Sequence, residues 1–199
     1  MTQTPTVPPR QRILAAADDL FRRQGIRGVG VEAIAEAADT NKMTLYRHFA
    51  SKDELVAEWM RGVISRKDAA WDEIIAQHPD DPAAQLVDWS RRTAQALAEM
   101  EERGSAILNA LAELPEADHP ARKVIDEHRS REHQRILTLC RQAGFRDPEL
   151  TADQFYFLLE GAKTCVQCVG LRRVGQHLME LVDKMVAERR KAPARSGSR

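Results

Sequence analysis

The chain has 199 residues, 43% of them apolar and 30% charged, with 30 basic side chains balancing 30 acidic ones. That length buries a hydrophobic core without staples, in one generous domain or two small ones, and the balance excludes a disordered chain. Zero net charge gives no global argument for a polyanionic partner. The three cysteines, Cys140, Cys165 and Cys168, make no disulfide framework, so a reducing cytoplasm is expected.

The start of the chain, Met1 to Pro9, is polar and Pro-rich rather than a secretion signal, and no uncharged apolar run is long enough for a membrane span. Apolar residues then recur at three- and four-residue steps, with no alternating β-branched run, so an all-α protein of about nine helices is expected. A first helix runs from Pro9 or Arg10 to Gln24, with Ile13, Leu14, Ala17, Leu20 and Phe21 on one face and Gly25 as its stop. Short helices follow over about 31–38 and 42–48, separated only by Asp39, Thr40 and Asn41.

Ser51 with Glu54 forms a capping box that opens a long fourth helix near Lys52 and carries it toward Ala76, until His78-Pro79-Asp80-Asp81-Pro82 breaks it. Further helices are expected over about 83–103, 105–114, 120–143, 151–169 and 174–190. The tail, 192–199, is rich in Pro, Ser, Gly and Arg and reads as disordered. These elements divide into an N-terminal unit over 7–67, with a larger helical body over 68–191.

The segment 30–49 carries the chemistry. Val31, Ile34, Ala35 and Ala38 give its first helix an inward face, and Leu45 and Phe49, four apart, do the same for the second. Ala35 and Ala38 are small enough for a close helix crossing. With Leu45 and Phe49 inward, Lys42, Met43, Thr44, Tyr46, Arg47 and His48 face outward, and Asn41 is a good N-cap. From Thr40 to Lys52 there are three cations, Lys42, Arg47 and Lys52, and no acid, so this is a local positive surface on a neutral molecule. A helix-turn-helix displaying such a helix can lay it in the major groove of duplex DNA.

Beyond this pattern the order and spacing of Ile13-Leu14-Ala15-Ala16-Ala17, Leu20-Phe21, Gly25, Ile34-Ala35 and Lys42-x-Thr44-Leu45-Tyr46-x-His48-Phe49-x-Ser51-Lys52-x-x-Leu55 resemble the TetR/AcrR family of one-component repressors. The resemblance covers about residues 10–60. It implies a three-helix DNA-binding domain and a C-terminal body that dimerises and houses an effector pocket. It also places Thr44, Tyr46, His48 and Lys52 at DNA-contacting positions, with Tyr46 and Lys52 on phosphates and Lys42, Met43 and Thr44 toward bases. Three residues depart from the family pattern. Gly30 stands at the N-cap, Asp39-Thr40 replaces the usual Gly-Val of the turn, and Met43 sits where a small residue is common.

In the body, Leu158, Ala162, Cys165 and Val169 fall on one stripe, and Val174, Leu178, Leu181 and Met185 on the next. Both can close an intramolecular core. With the family resemblance they read as a four-helix homodimer interface, matching the two half-sites that a palindromic DNA operator offers. Trp71, Trp89, Met100, Phe155 and Phe157 are candidate walls for a small-molecule effector, or plain core. His128, Arg129 and His133 could add polar contacts but read as solvated.

Cys165 and Cys168 read as buried packing thiols rather than a metal pair, and His119, His128 and His133 lack the spacing of a helical zinc pair. No phosphate-binding glycine loop and no Ser/His/Asp set is found, so neither a cofactor, a metal nor catalytic residues are expected.

Overall fold

The computed structural model describes residues 7–99, 104–169 and 171–189, with side chains over 7–97, 104–165 and 173–188. Met100, the side chains of Cys168 and Val169, and the tail 192–199 lie outside the described residues. Among the described residues there are nine helices and no strand: α1 (Pro9–Gln24), α2 (Val31–Ala37), α3 (Lys42–His48), α4 (Lys52–Gln77), α5 (Pro82–Glu99), α6 (Ala106–Glu113), α7 (Pro120–Gln142), α8 (Pro148–Val169) and α9 (Leu171–Arg189). No helix among them is long and apolar enough to cross a membrane.

Helix ends follow local chemistry. Pro8 and Pro9 open α1, where the missing N–H is not needed, and Gly25 ends it at a φ of 77°. Ser51 Oγ accepts from the Glu54 N–H at 3.1 Å, so the start of α4 is capped as its sequence implies. Two starts fall earlier than periodicity places them. Asp81 caps α5 through the Ala84 N–H at 2.9 Å, and Asp147 caps α8 through the Leu150 N–H at 3.0 Å. In each case a proline occupies the first helical position, where it extends the helix backward instead of breaking it.

The chain separates into two compact units. One comprises the chain up to Arg66 together with Ala106–His128; the other comprises Lys67–Ser105 and the chain from Arg129 onward. The sequence reading places 106–128 with the body. Its apolar residues Ile107, Ala110, Leu114, Ala121 and Ile125 instead share one core with α1 to α3 and the first half of α4.

In the first unit, Ile13, Ile34, Leu45 and Leu55 are fully buried in a common core, and burial of each such side chain contributes about 1.5–3 kcal/mol. Phe21 packs on Trp59 with ring centroids 5.1 Å apart, and the Trp59 indole donates to Asp18 at 2.5 Å. Burial pushes the Asp18 carboxyl up, but the Trp59 and Arg22 hydrogen bonds outweigh it and leave the group below the ordinary carboxylate range. The Glu113 carboxylate at the end of α6 accepts from the Arg27 N–H at 2.8 Å and lies where a Cβ on Gly25 would stand, 2.9 Å away. The loop between α1 and α2 is therefore held by α6 at a position only glycine fits.

In the second unit, α5 packs on α9 and on α8, and α8 packs on α9. A Cβ on Gly175 would approach the Ala94 carbonyl to 3.3 Å, which marks how closely α9 lies against α5. Leu86, Leu97, Ile136, Phe155, Leu159 and Val182 make up the buried centre.

Candidate functional site

The turn between α2 and α3 is built backbone first. Ala38 ends α2, Asp39 takes a φ of 49°, and the Thr40 N–H returns to the Ala35 carbonyl at 2.9 Å. Asp39 is the non-glycine residue with positive φ among the described residues, at the turn position where the sequence departs from the family's glycine. Aspartate tolerates this region at a modest cost. Arg12 of α1 steadies it, donating to the Asp39 carbonyl at 3.2 Å and lying 3.6 Å from its carboxylate.

Asn41 then caps α3, its side chain accepting from the Thr44 N–H at 2.8 Å. That bond uses one of the first free donors of the helix. Leu45 is 0% exposed and Phe49 2%, so the inward face is fully packed. The opposite face presents Lys42, Met43, Tyr46, Arg47 and His48 to solvent, with Met43 83% exposed. Thr40 and Thr44 are partly buried at its edge.

Two cations of the expected set have partners that sequence spacing does not reveal. Lys42 Nζ bonds Glu32 of α2 at 2.6 Å, which raises the ammonium and lowers the carboxyl from their ordinary values. Lys52, partly buried, donates to the Ile26 carbonyl at 2.7 Å and so ties α4 to the loop after α1. Arg12 and Glu32 belong to this surface and were not picked out by motif or periodicity, since their contacts join residues far apart in the chain.

Of the candidates away from this surface, His128 belongs to the first unit and Trp71, Trp89, Phe155, Phe157 and Cys165 to the second. Trp71, Trp89 and Phe155 are buried in its core. Phe157 is 68% exposed on α8 rather than a wall beside Phe155, because two positions along a helix turn a side chain to the far face. His128 is buried at 2% exposure, not solvated as expected, whereas Cys165 is exposed, not a packing thiol.

The two expected stripes are divided. Ala162, Val174 and Leu178 are buried within the unit, Leu158 and Met185 partly so, and Cys165 and Leu181 are exposed. The outward members, with Phe157, Gly161 and His177, line an open and mainly apolar trough of about 540 Å³. A Cβ on Gly161 would meet nothing within 4 Å.

Residues 13–59, the segment that builds this helix-turn-helix, match the profile described as "Bacterial regulatory proteins, tetR family". The solved structure of SCO4454, a TetR-family transcriptional regulator from Streptomyces coelicolor, superposes with a TM-score of 0.84 at 26% identity, over 90% of this chain and 95% of that one. The chain belongs to the TetR family. Among curated relatives, the HTH-type transcriptional repressor KstR2 of Rhodococcus jostii is 36% identical over 74 residues, 37% of this chain and 36% of KstR2. The HTH-type transcriptional regulator UidR of Escherichia coli is 39% identical over 54 residues, 27% of this chain and 28% of UidR. The matches thus span about a third of the length of these relatives. In this TetR-family protein the likeness at sequence level is concentrated in the unit that displays α3, and the likeness in fold extends over nearly the whole chain.

Proposed function

We propose that this TetR-family protein is a cytoplasmic, homodimeric transcriptional regulator and not an enzyme. Its α3 lies in the major groove of a near-palindromic operator, and a small-molecule effector in the second unit releases it. One observation carries the reading. The exposed face of α3 holds Lys42, Tyr46, Arg47 and His48 over a fully buried Leu45, so a rigid helix displays hydrogen-bonding and cationic groups outward. Phosphate contacts from such a helix set register, and side chains near its start read base edges.

A single seven-residue helix reads only a few base pairs, so specificity calls for two copies at two half-sites. The apolar trough on α8 and α9 offers a surface for that pairing, since Phe157 and Leu181 stand exposed there. The repressor name of KstR2 agrees with a repressing role.

Fluorescence anisotropy of the full chain on duplexes from its own upstream region tests the reading. A half-saturation that weakens steeply with added salt, with one duplex preferred over scrambled sequence, is the expected result. Equal and weak binding to every duplex at low ionic strength contradicts it.

A further inference from the structure

The second unit buries polar groups that its own side chains leave unmet. Trp71 of α4 and Trp89 of α5 stack with ring centroids 4.3 Å apart and planes 20° from parallel. They are 1% and 4% exposed, and neither indole N–H has a hydrogen-bond partner among the described residues. Buried donors are almost always satisfied, because a bare one has given up its water for nothing. An indole N–H only donates, so both call for an acceptor.

Two lysines of the same unit are treated differently. Lys163 of α8 is buried and bonded to Glu160 at 2.5 Å. Burial alone pulls its ammonium down, but Glu132 and Glu160 together raise it above its ordinary value. Lys67 of α4, one turn before Trp71, has neither hydrogen bond nor ion pair among the described residues, and burial, followed by repulsion from Lys163, holds it below its ordinary value. Its Nζ stands 5.6 Å from the centroid of the Trp89 ring. Arg135 stands 5.1 Å from the Trp71 ring centroid and is paired with Asp68 at 3.9 Å. Glu132, Glu160 and Asp68 offset part of the burial penalty on Lys67 from a distance, but none of them bonds it, so an ammonium without a hydrogen-bonding partner stands beside two donors that lack acceptors.

We infer that this neighbourhood binds a small organic acid, its carboxylate meeting Lys67 and an indole N–H and its apolar body lying among side chains such as Leu97, Ile136 and Phe155. An ammonium or other cation has no lone pair to offer the indole N–H groups or Lys67, and a neutral molecule would supply an acceptor without the charge that a desolvated ammonium favours. The identification of this acid as the effector rests on the function proposed above; the chemistry of the site does not.

Calorimetric titration of the full chain with octanoate, phenylacetate and naphthoate, each beside its methyl ester and the primary amine of the same skeleton, tests the inference. At least one acid is expected to bind about tenfold or more tighter than its ester and its amine. Lys67→Met should remove about tenfold of that affinity and Lys67→Arg should keep most of it, while Trp89→Phe, which retains a ring without the N–H, should weaken it several-fold. Esters or amines binding as well as the acids overturns the inference. So does an unchanged acid affinity in Lys67→Met, or the failure of all three acids at millimolar concentration. Addition of the bound acid to the protein–duplex complex separates the two readings. Release supports both, binding without release keeps the site and overturns its effector role, and release by an ester or amine alone keeps an effector response and overturns the acid site.

Discussion

α3 and α8 each bury one face and leave the other in solvent, but what they expose is opposite. On α3 the outer residues are Lys42, Tyr46, Arg47 and His48, over a buried Leu45. On α8 they include Phe157 and Cys165, over a buried Phe155 and Leu159. The first face is comfortable in water and gains from a polyanion; the second gains only by meeting another apolar surface. A polar face over a packed core is ordinary for a surface helix, so α3 draws its significance from its cations and its neighbours in the motif. An exposed phenylalanine above a trough draws its significance from physics alone.

The largest effect expected from breaking this contrast is at α8. Phe157→Asp places a carboxylate where apolar contact is needed, and we expect the dimer to dissociate roughly a hundredfold more readily. Sedimentation equilibrium should show the shift, while circular dichroism keeps its helical signal because the side chain is 68% exposed and outside the buried core of its unit. A dimer of wild-type strength in this variant would remove α8 from the interface. Next in size is Arg47→Ala on α3. It should weaken operator binding by about tenfold at moderate salt and make the salt dependence shallower by about 0.9, the signature of one lost phosphate contact.

The opposite sign is expected where α2 restrains α3. Glu32→Gln removes the partner 2.6 Å from Lys42 and leaves that ammonium free for phosphate. Anisotropy should report binding a few-fold tighter and a steeper salt slope. The smallest change concerns the backbone. Asp39→Gly relieves a φ of 49° and should stabilise the first unit by about 1 kcal/mol, raising the melting temperature by roughly 2–4 °C. A lower melting temperature would mean that Arg12, held to the Asp39 carboxylate and carbonyl, contributes more than the strain costs.

Much of the first unit was legible because its signals are local. Gly25 stops α1, Asn41 caps α3, Ser51 caps α4, and Leu45 with Phe49 sets which way α3 faces; each depends on residues no more than four apart. What periodicity could not supply was partnership across the chain. Lys52 reaches Ile26, Arg12 reaches Asp39, and Glu113 closes on the loop at Gly25, all through folding that no short window contains.

The second unit was less legible for a different reason. α8 and α9 are apolar on more than one side, so a stripe at three- and four-residue steps fits either face. Val174 and Leu178 proved to lie inside, while the outward set is centred on Phe157 and Leu181. Likewise Pro82 and Pro148 look like breakers until the preceding aspartates are seen to cap helices that begin there.

The central claim is that the outer face of α3 lies against bases. Replacing Met43, 83% exposed on that face, with a photoreactive phenylalanine analogue and irradiating the protein–duplex complex tests it directly. Crosslinks to major-groove bases in two clusters related by two-fold symmetry and separated by a whole number of helical turns, about 10 base pairs each, are predicted. A protein that retains its duplex yet forms no crosslink from position 43 would contradict the account.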